Sequence, residues 1–426
     1  MLNAYIDRQG QIRRTMLKSD QDRYSVGGVL LNRPFKIRRL GHFGFNITKL
    51  DEGLNFYSNL LGFKVSDPHH FSNLSAEAEE KVKQFGQIHG YFMHHGSDHH
   101  SFVLFNKLVT DTLAAFRGRT LKPDMTINQI TWQVGSMAEV ANGAQFLRKN
   151  DVPIVKTGRD MPGSNWHVYA FDPDLHNNEL YYGIEQIGWT VRSKPKAMYY
   201  RRFDETPPLP IMSEEDEIED AKKKGIDVYS GHNHKETLPA KYDVEGVLLP
   251  RPFKVTKIGP VNLFVTNLQK SEAFYTKIYG FTKTEEVNYK GHSCIFLRCG
   301  NEHHSLALFP IELRAELGLN EHTTCASFGL EVTSYNQLRN AVTFLTNHGV
   351  KTIDFPEELH PGIDYAKYVL DPDGHCLQLY YYMEQLGWEG KPRPKELRRV
   401  AQKDWPENLE PLSDTYADQV FQGPLG

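Results

Sequence analysis

The sequence predicts an α+β protein in which four strand–helix–three-strand units are paired into two tandem domains. Three features predict it: an internal repeat, segments with period-two apolar alternation, and a short helical face following the first strand of a unit. In the repeat, Gly28-Val29-Leu30-Leu31 and Arg33-Pro34-Phe35-Lys36 return as Gly246-Val247-Leu248-Leu249 and Arg251-Pro252-Phe253-Lys254. Phe56-Tyr57 with Gly62-Phe63 returns as Phe274-Tyr275 with Gly280-Phe281, and His99-His100-Ser101 as His303-His304-Ser305. Asp172-Pro173-Asp174 returns as Asp371-Pro372-Asp373, and the run from Glu185 to Trp189 as that from Glu384 to Trp388. Copies of roughly 170 residues are too large for solenoid repeats, so each is a domain.

The elements follow in order. Residues 37–47 alternate well enough for a strand. Leu50, Leu54, Tyr57 and Leu61 then share one helical face that ends at Gly62, a suitable C-cap. Three strand-like stretches follow, the last at His100 to Phe105. The pattern restarts at Ile127 to Val134, with a helix over Met137 to Lys149 and strands around Trp166 to Phe171 and Glu179 to Gly183. The domain organisation read from this is an N-terminal extension over 1–35, a first domain over 36–200, a linker over 201–245, a second domain over 246–392 and a tail over 393–426. In the linker, Thr206-Pro207-Pro208-Leu209-Pro210 is a stiff connector. A helix then opens on Ser213-Glu214-Glu215-Asp216-Glu217 and turns basic at Lys222 to Lys224, suiting the helix dipole at both ends. Such a charged helix is expected to be solvated.

Composition narrows the class. Hydrophobic residues make up 39% and charged residues 24% of 426 positions, which is ordinary for a soluble globular protein. A net charge of -4 gives no reason to expect nucleic acid or an anionic membrane as partner. Met1 to Gly10 lack the apolar stretch of a secretory signal, and no apolar run is long enough to span a membrane. The four cysteines all fall in the second copy without zinc-type spacing, so free thiols and a cytoplasmic location are expected.

Gly41-His42 followed by Phe56-Tyr57 and Leu61-Gly62-Phe63, the stretch His99 to Leu104, and Tyr169 to Asp174 leading to Glu179 carry a resemblance. The chain resembles the vicinal oxygen chelate superfamily (glyoxalases, bleomycin-resistance proteins, extradiol dioxygenases), and within it the type I extradiol ring-cleavage dioxygenases, over about residues 36–190 and 254–390. The resemblance implies that each domain is an open mixed β-sheet cup with flanking helices. It also implies one metal ion in the active domain, held by His42, Glu179 and, where the family has its second histidine, Gln129. A glutamine ligand is a departure from the two-histidine, one-carboxylate set of the dioxygenases, although the glyoxalase I branch uses one. In the second copy these positions read Pro260, Ser327 and Gln378. Proline cannot bind a metal, so the first copy is the expected active domain.

His100 falls on the dioxygenases' proton-carrying histidine, work that suits an imidazole titrating near neutrality. Tyr169 falls on their substrate-side tyrosine. Both return in the second copy, as His304 and Tyr368, which also allows a purely structural role. The family's further histidine upstream of that tyrosine is replaced by Met161-Pro162, and His167 would share the inward strand face with Tyr169. His94, His95 and His99 read as a surface hairpin without a zinc motif. Each residue also has a bland reading: a lone histidine at a strand head is usually a packing residue, and a buried glutamine often bonds across a sheet.

Three functions are carried forward. One is an Fe(II)-dependent extradiol dioxygenase of aromatic catabolism, taking a small catechol-like substrate and O2. Another is a Mn(II)-, Ni(II)- or Zn(II)-dependent isomerase or lyase of the glyoxalase type, which the glutamine ligand favours. The third is a non-catalytic small-molecule-binding protein. A homo-oligomer is expected from the superfamily.

Overall fold

The structure, a computed structural model, describes residues 4–6, 12–14, 23–71, 74–119, 121–159, 163, 165–187, 192–198, 212–386, 389–398 and 405–409. The connector at 206–210 and Met161-Pro162 lie outside these residues.

Each copy forms an eight-stranded mixed sheet. In the first, β1 (Arg39–Ile47), β2 (Lys64–His69), β3 (Gly90–His94), β4 (Phe102–Asn106), β5 (Ile127–Gln133), β6 (Ile154–Arg159), β7 (Trp166–Phe171) and β8 (Asn177–Tyr182) lie in the order β6-β7-β8-β5-β1-β4-β3-β2. The second sheet repeats this with β9 (Val255–Val265), β10 (Thr282–Tyr289), β11 (His292–Arg298), β12 (Leu306–Pro310), β13 (Cys325–Val332), β14 (Thr352–Ile353), β15 (Ala366–Leu370) and β16 (Cys376–Tyr380). The first strands of the two units pair antiparallel at the centre of each sheet, β1 with β5 and β9 with β13. Two strand–helix–three-strand units per copy are therefore present, and the fold is α+β.

The helices also follow the sequence pattern. Helix α1 (Leu50–Leu54) runs on into a π turn at Asn55–Leu60, and the helix Leu268–Ala273 does the same at Phe274–Tyr279. That widening turn buries Tyr57 and Tyr275 completely. Helix α2 (Met137–Lys149) spans the expected residues, and Ser136 caps its N-terminus by accepting from the Glu139 amide. The linker helix α3 (Glu214–Lys223) is capped by Ser213. It is exposed over Glu214 to Asp216, but Glu217 pairs with Arg159 at 3.0 Å, which fixes it to the edge strand β6. The cysteines form no disulfide. No helix among the described residues is long and apolar enough to cross a membrane.

Alternation gives each sheet two unlike faces. Phe43, Phe45 and Ile47 of β1 point into one hydrophobic core that continues through Val261, Leu263 and Phe328 of the second copy. Phe43 stacks on Phe328 with centroids 4.3 Å apart, and Phe45 stacks on His375 at 4.0 Å. The Asp-Pro-Asp loops complete the junction. Tyr57 donates to Asp371 at 2.9 Å and Tyr275 to Asp172 at 2.8 Å, so each copy's π-turn tyrosine is bound by the other copy's loop. Thr266 donates to Asp174 at 2.6 Å, and Thr48 to Asp373 at 2.9 Å.

The opposite faces differ between the copies. The second sheet closes over an apolar cluster of Phe264, Val287, Phe296, Phe309, Ala326, Phe355 and Leu359. At the equivalent positions of Phe264, Val287 and Ala326 the first sheet carries Asn46, His69 and Asn128. The second copy uses this whole face as core, whereas the first keeps apolar only Phe92, Val103 and Phe105, the counterparts of Phe296, Ala307 and Phe309, and is polar at Asn46, His69 and Asn128.

Candidate functional site

The polar part of the first sheet's inner face gathers side chains from four neighbouring strands. On β1, His42 shares a face with Asn46 because the two are an even number of residues apart. Its backbone partner on β5 is Thr131, which shares the face with Gln129. Glu179 lies on β8 beside Thr131 in parallel register, and Tyr169 lies opposite Glu179 on β7.

These positions bring the side chains into contact. His42 Nε2 lies 2.9 Å from Glu179 Oε2, and both side chains are 0% exposed. Thr131 donates its hydroxyl to the same carboxylate oxygen at 2.8 Å. Asn165 donates to Glu179 Oε1 at 2.9 Å, and His167 Nδ1 is 3.7 Å from that oxygen. Tyr169 donates to Gln129 Oε1 at 3.3 Å, and its ring lies 4.7 Å from that of His167, on the shared face. The His100 ring contacts the His42 ring edge-on with centroids 4.3 Å apart. All five predicted residues thus belong to one cluster.

Electrostatics follow from burial and these partners. Burial alone would raise the Glu179 carboxyl, but His42, its hydrogen bond and His167 draw it down to about 2, so it is a carboxylate at neutral pH. Burial, and then the Glu179 charge, push the Tyr169 phenol well above its ordinary value, so it keeps its proton. Burial, then His42 and His99, hold the His100 imidazole well below its ordinary range, so it is neutral.

A divalent ion fits this donor set. Two ligands bonded to one ion at about 2.1 Å and at right angles stand roughly 3 Å apart, the separation of His42 Nε2 and Glu179 Oε2. Among the described residues no three His, Cys, Asp or Glu side chains form a metal-holding group, so a third protein donor would be neutral: Gln129 or Thr131.

The second copy has closed the same place. A side chain at Gly329, the counterpart of Thr131, would come within 2.2 Å of the Gly259 carbonyl and 2.5 Å of the Pro260 ring. Gln378 donates to Tyr368 at 2.7 Å, where Glu179 meets a histidine.

One expectation is corrected. His94 and His99 do not lie on a surface hairpin: both are buried, and only the neighbouring His95 is partly exposed. His99 Nε2 is 2.8 Å from Asp67 Oδ2, and its Nδ1 is 3.0 Å from His100 Nδ1. The hairpin sequence is polar enough to suggest solvent, but β2 folds a carboxylate over it. Asp67, Asn165 and Thr131 were not singled out in the sequence. Only the repeat offered a signal for Asp67, since Glu285 stands at its place in the second copy.

The family profile described as Glyoxalase/Bleomycin resistance protein/Dioxygenase superfamily matches residues 39–180 and 257–379, well over half of the chain and once in each copy. A 2,2',3-trihydroxybiphenyl dioxygenase of Sphingomonas paucimobilis is 23% identical over 130 residues, covering 30% of this chain and 42% of that protein. The chain therefore matches less than half the length of this curated relative. Among solved structures, the Mn(II)-bound glyoxalase from Novosphingobium aromaticivorans aligns over 83% of this chain and 85% of its own, at 14% identity and a TM-score of 0.50. The 2,3-dioxygenase LapB from Pseudomonas sp. KL28 aligns over 84% and 96%, at 16% identity and a TM-score of 0.51. An extradiol ring-cleaving dioxygenase from B. fuscum aligns over 84% and 76%, at 12% identity and a TM-score of 0.52. At such identities these likenesses establish the fold.

Proposed function

The chain belongs to the glyoxalase/bleomycin resistance protein/dioxygenase superfamily, and from that premise we propose that it is a ring-cleaving dioxygenase acting on a catechol-like aromatic with O2. The observation that carries the reading is the buried contact of His42 with Glu179, lost in the second copy at Pro260 and Gln378. The similarity to a trihydroxybiphenyl dioxygenase supports an aromatic diol as substrate class.

His42, Glu179 and Gln129 would hold one divalent ion, Fe(II) in the first instance, with Mn(II), Ni(II) or Zn(II) as alternatives. Such an ion, when bound, supplies open positions for the two adjacent oxygens of a catechol and for O2. The surrounding side chains have separate tasks. Thr131 and Asn165 fix the Glu179 carboxylate by hydrogen bonds to its two oxygens. His100, against His42, is placed to accept a proton from a diol hydroxyl and return it as the ring opens, while burial, then His42 and His99, make it a weaker base than a free imidazole. Tyr169 keeps its proton and steadies the Gln129 amide through its hydroxyl. The complete burial of His42, Thr131 and Glu179 keeps bulk water from the site.

Metal analysis of the full chain purified without air, followed by a screen of small, biaryl and bulky catechols for the yellow ring-opened product, tests this reading. About one metal per chain in the native protein, little in Glu179→Ala, and product from at least one catechol are expected. A second reading, a metal-dependent isomerase or lyase, is favoured by one feature: the third predicted donor is the neutral oxygen of Gln129. Metal without ring opening would move the assignment there. Absence of metal would move it to a binding protein of the same fold.

A further inference from the structure

The first copy holds a buried chain of hydrogen bonds that the mechanism above does not use. It runs from Asp67 Oδ2 to His99 Nε2 at 2.8 Å and from His99 Nδ1 to His100 Nδ1 at 3.0 Å, and it ends where the His100 ring meets His42. Both imidazoles are nearly or fully excluded from solvent. Phe92 flanks them, with centroids 5.9 Å from His99 and 4.9 Å from His100. Gly163 closes the other side: its φ is +91°, and a side chain there would come within 2.9 Å of His100 and 3.0 Å of His99. The two rings are thus packed between Phe92 and the backbone at Gly163.

The order of donors and acceptors then follows. A carboxylate only accepts, so the nitrogen of His99 facing Asp67 must carry a proton. If His99 carries only that proton, its Nδ1 presents a lone pair. The Nδ1···Nδ1 contact needs one proton, which must come from His100. A neutral His100 that donates from Nδ1 has its lone pair on Nε2.

We infer that Asp67 and His99 are positioning residues that fix His100 in the Nδ1–H tautomer, with the Nε2 lone pair as the atom that accepts a proton. The inference deepens the role given to His100 above and rests on that reading only for its effect on turnover. The carboxylate does for the pair of imidazoles what an orienting acceptor does for a single catalytic histidine: it selects which nitrogen is basic. The second copy keeps the same arrangement, Glu285 to His303 at 3.1 Å and His303 Nδ1 to His304 Nδ1 at 3.1 Å. There Arg398 also holds Glu285, at 2.7 Å, and His304 Nε2 is buried without a partner. The tautomer device thus belongs to the repeat, and only the first copy sets a ligand-bearing cluster in front of it.

The test reads tautomers directly. Long-range 1H–15N correlation spectra of the 15N-histidine-labelled full chain, assigned by single His→Gln variants, should show His99 protonated at Nε2 and His100 at Nδ1. In Asp67→Leu, which supplies no acceptor, His100 should no longer be held in the Nδ1–H form. Under the proposed activity, kcat should fall by at least about tenfold with little change in KM, because a general base supplies a factor of this order or more. Asp67→Glu should restore both. A His100 protonated at Nε2, or a doubly protonated His99 in the native protein, overturns the inference. So does an unchanged His100 tautomer in a folded Asp67→Leu. Native tautomers as stated, with no catechol turned over, would leave the inference standing and remove the dioxygenase reading instead.

Discussion

Tyr57 of the first copy and Asp371 of the second share a buried hydrogen bond of 2.9 Å, and the repeat returns it in reverse as Tyr275 with Asp172 at 2.8 Å. Each aspartate also accepts from its own copy's histidine, His375 at 3.0 Å or His176 at 2.8 Å. Together with the Phe43–Phe328 stack, this makes one core of two domains, so the chain should unfold in a single transition. A buried hydrogen bond to a charged group contributes about 1.5–3 kcal/mol. Tyr57→Phe should fall near the lower end of that range, since Asp371 keeps its histidine. The two locks share no partner, so the costs of Tyr57→Phe and Tyr275→Phe should add. Denaturant titration of the single and double variants checks this; separate transitions for the two copies would contradict it.

The same junction predicts a pH profile. Burial lowers His176, but the Asp172 charge and hydrogen bond outweigh it and leave the imidazole raised above its ordinary 6.5. A raised folded value means that the stabilisation is full below pH 6.5 and is lost as pH rises through the higher folded value. Asp371 is shifted the other way. Burial raises it, but His375 and its hydrogen bonds prevail and hold it below 3.8, so its contribution is present above that pH and lost on acidification. Melting temperature should therefore decline above pH 6.5 and again below pH 3.8. In His176→Gln the alkaline decline should be shallower. An unchanged alkaline slope would show that His176 is not its source.

Glu179 is drawn down to about 2 by its surroundings, so protons do not compete with a cation for it across the physiological range. Removing the carboxylate leaves His42 with a neutral neighbourhood, and affinity for a divalent ion should fall about 100-fold or more by the logic of losing one of three protein ligands. Gln378→Ala, in the closed second copy, should leave metal content unchanged. Equilibrium dialysis against Fe(II) or Mn(II) under argon gives both numbers. Equal losses in the two variants would move the site away from Glu179.

Gln129→His is expected to tighten Fe(II) binding, because imidazole is a better donor to iron than a neutral amide oxygen. Its present hydrogen bond from Tyr169 would be lost or remade to a ring nitrogen. Unchanged affinity and metal preference would put Gln129 outside the metal's ligands and leave Thr131, already on the Glu179 carboxylate, as the neutral donor to examine by Thr131→Val.

How much of this the sequence revealed depended on whether the information was local or repeated. The period-two strands and α2 are local patterns, and they stand where the pattern put them. The meeting of His42 with Glu179 was legible through the family resemblance, which puts both in one ligand set, and the repeat added to it by losing both together, although they are far apart in the chain. Asp67 was not legible: its meaning depends on β2 lying over the turn before β4, a contact no spacing encodes. The Asp-Pro-Asp loops were visible as an echo, but a motif that binds the other copy says nothing about its partner from within its own copy. The polar run around His94 to His99 misled for a related reason, since histidines beside Gly and Asp read as solvent until a buried carboxylate is folded against them.

His100 and His304 separate catalysis from architecture. Both sit at the end of a carboxylate–imidazole chain, and both are buried and held well below their ordinary values, first by burial. The difference lies in front of them. His100 faces His42 at 4.3 Å, whereas the second copy has Pro260 in place of that histidine. If His100 carries a proton in the reaction, His100→Asn should lower kcat by about 10²- to 10⁴-fold while metal content stays close to native, with any stability cost no larger than that of His304→Asn. His304→Asn should leave kcat within about twofold, and any cost it carries should appear as stability, on the scale of about 1–3 kcal/mol for an unsatisfied buried partner. Turnover of the accepted catechol, metal content and denaturant midpoints measured on the same preparations decide the matter. Matching losses of stability in both variants, with turnover per folded molecule unchanged, would make the histidine pair a structural element of the repeat and take the proton carrier out of the proposed mechanism.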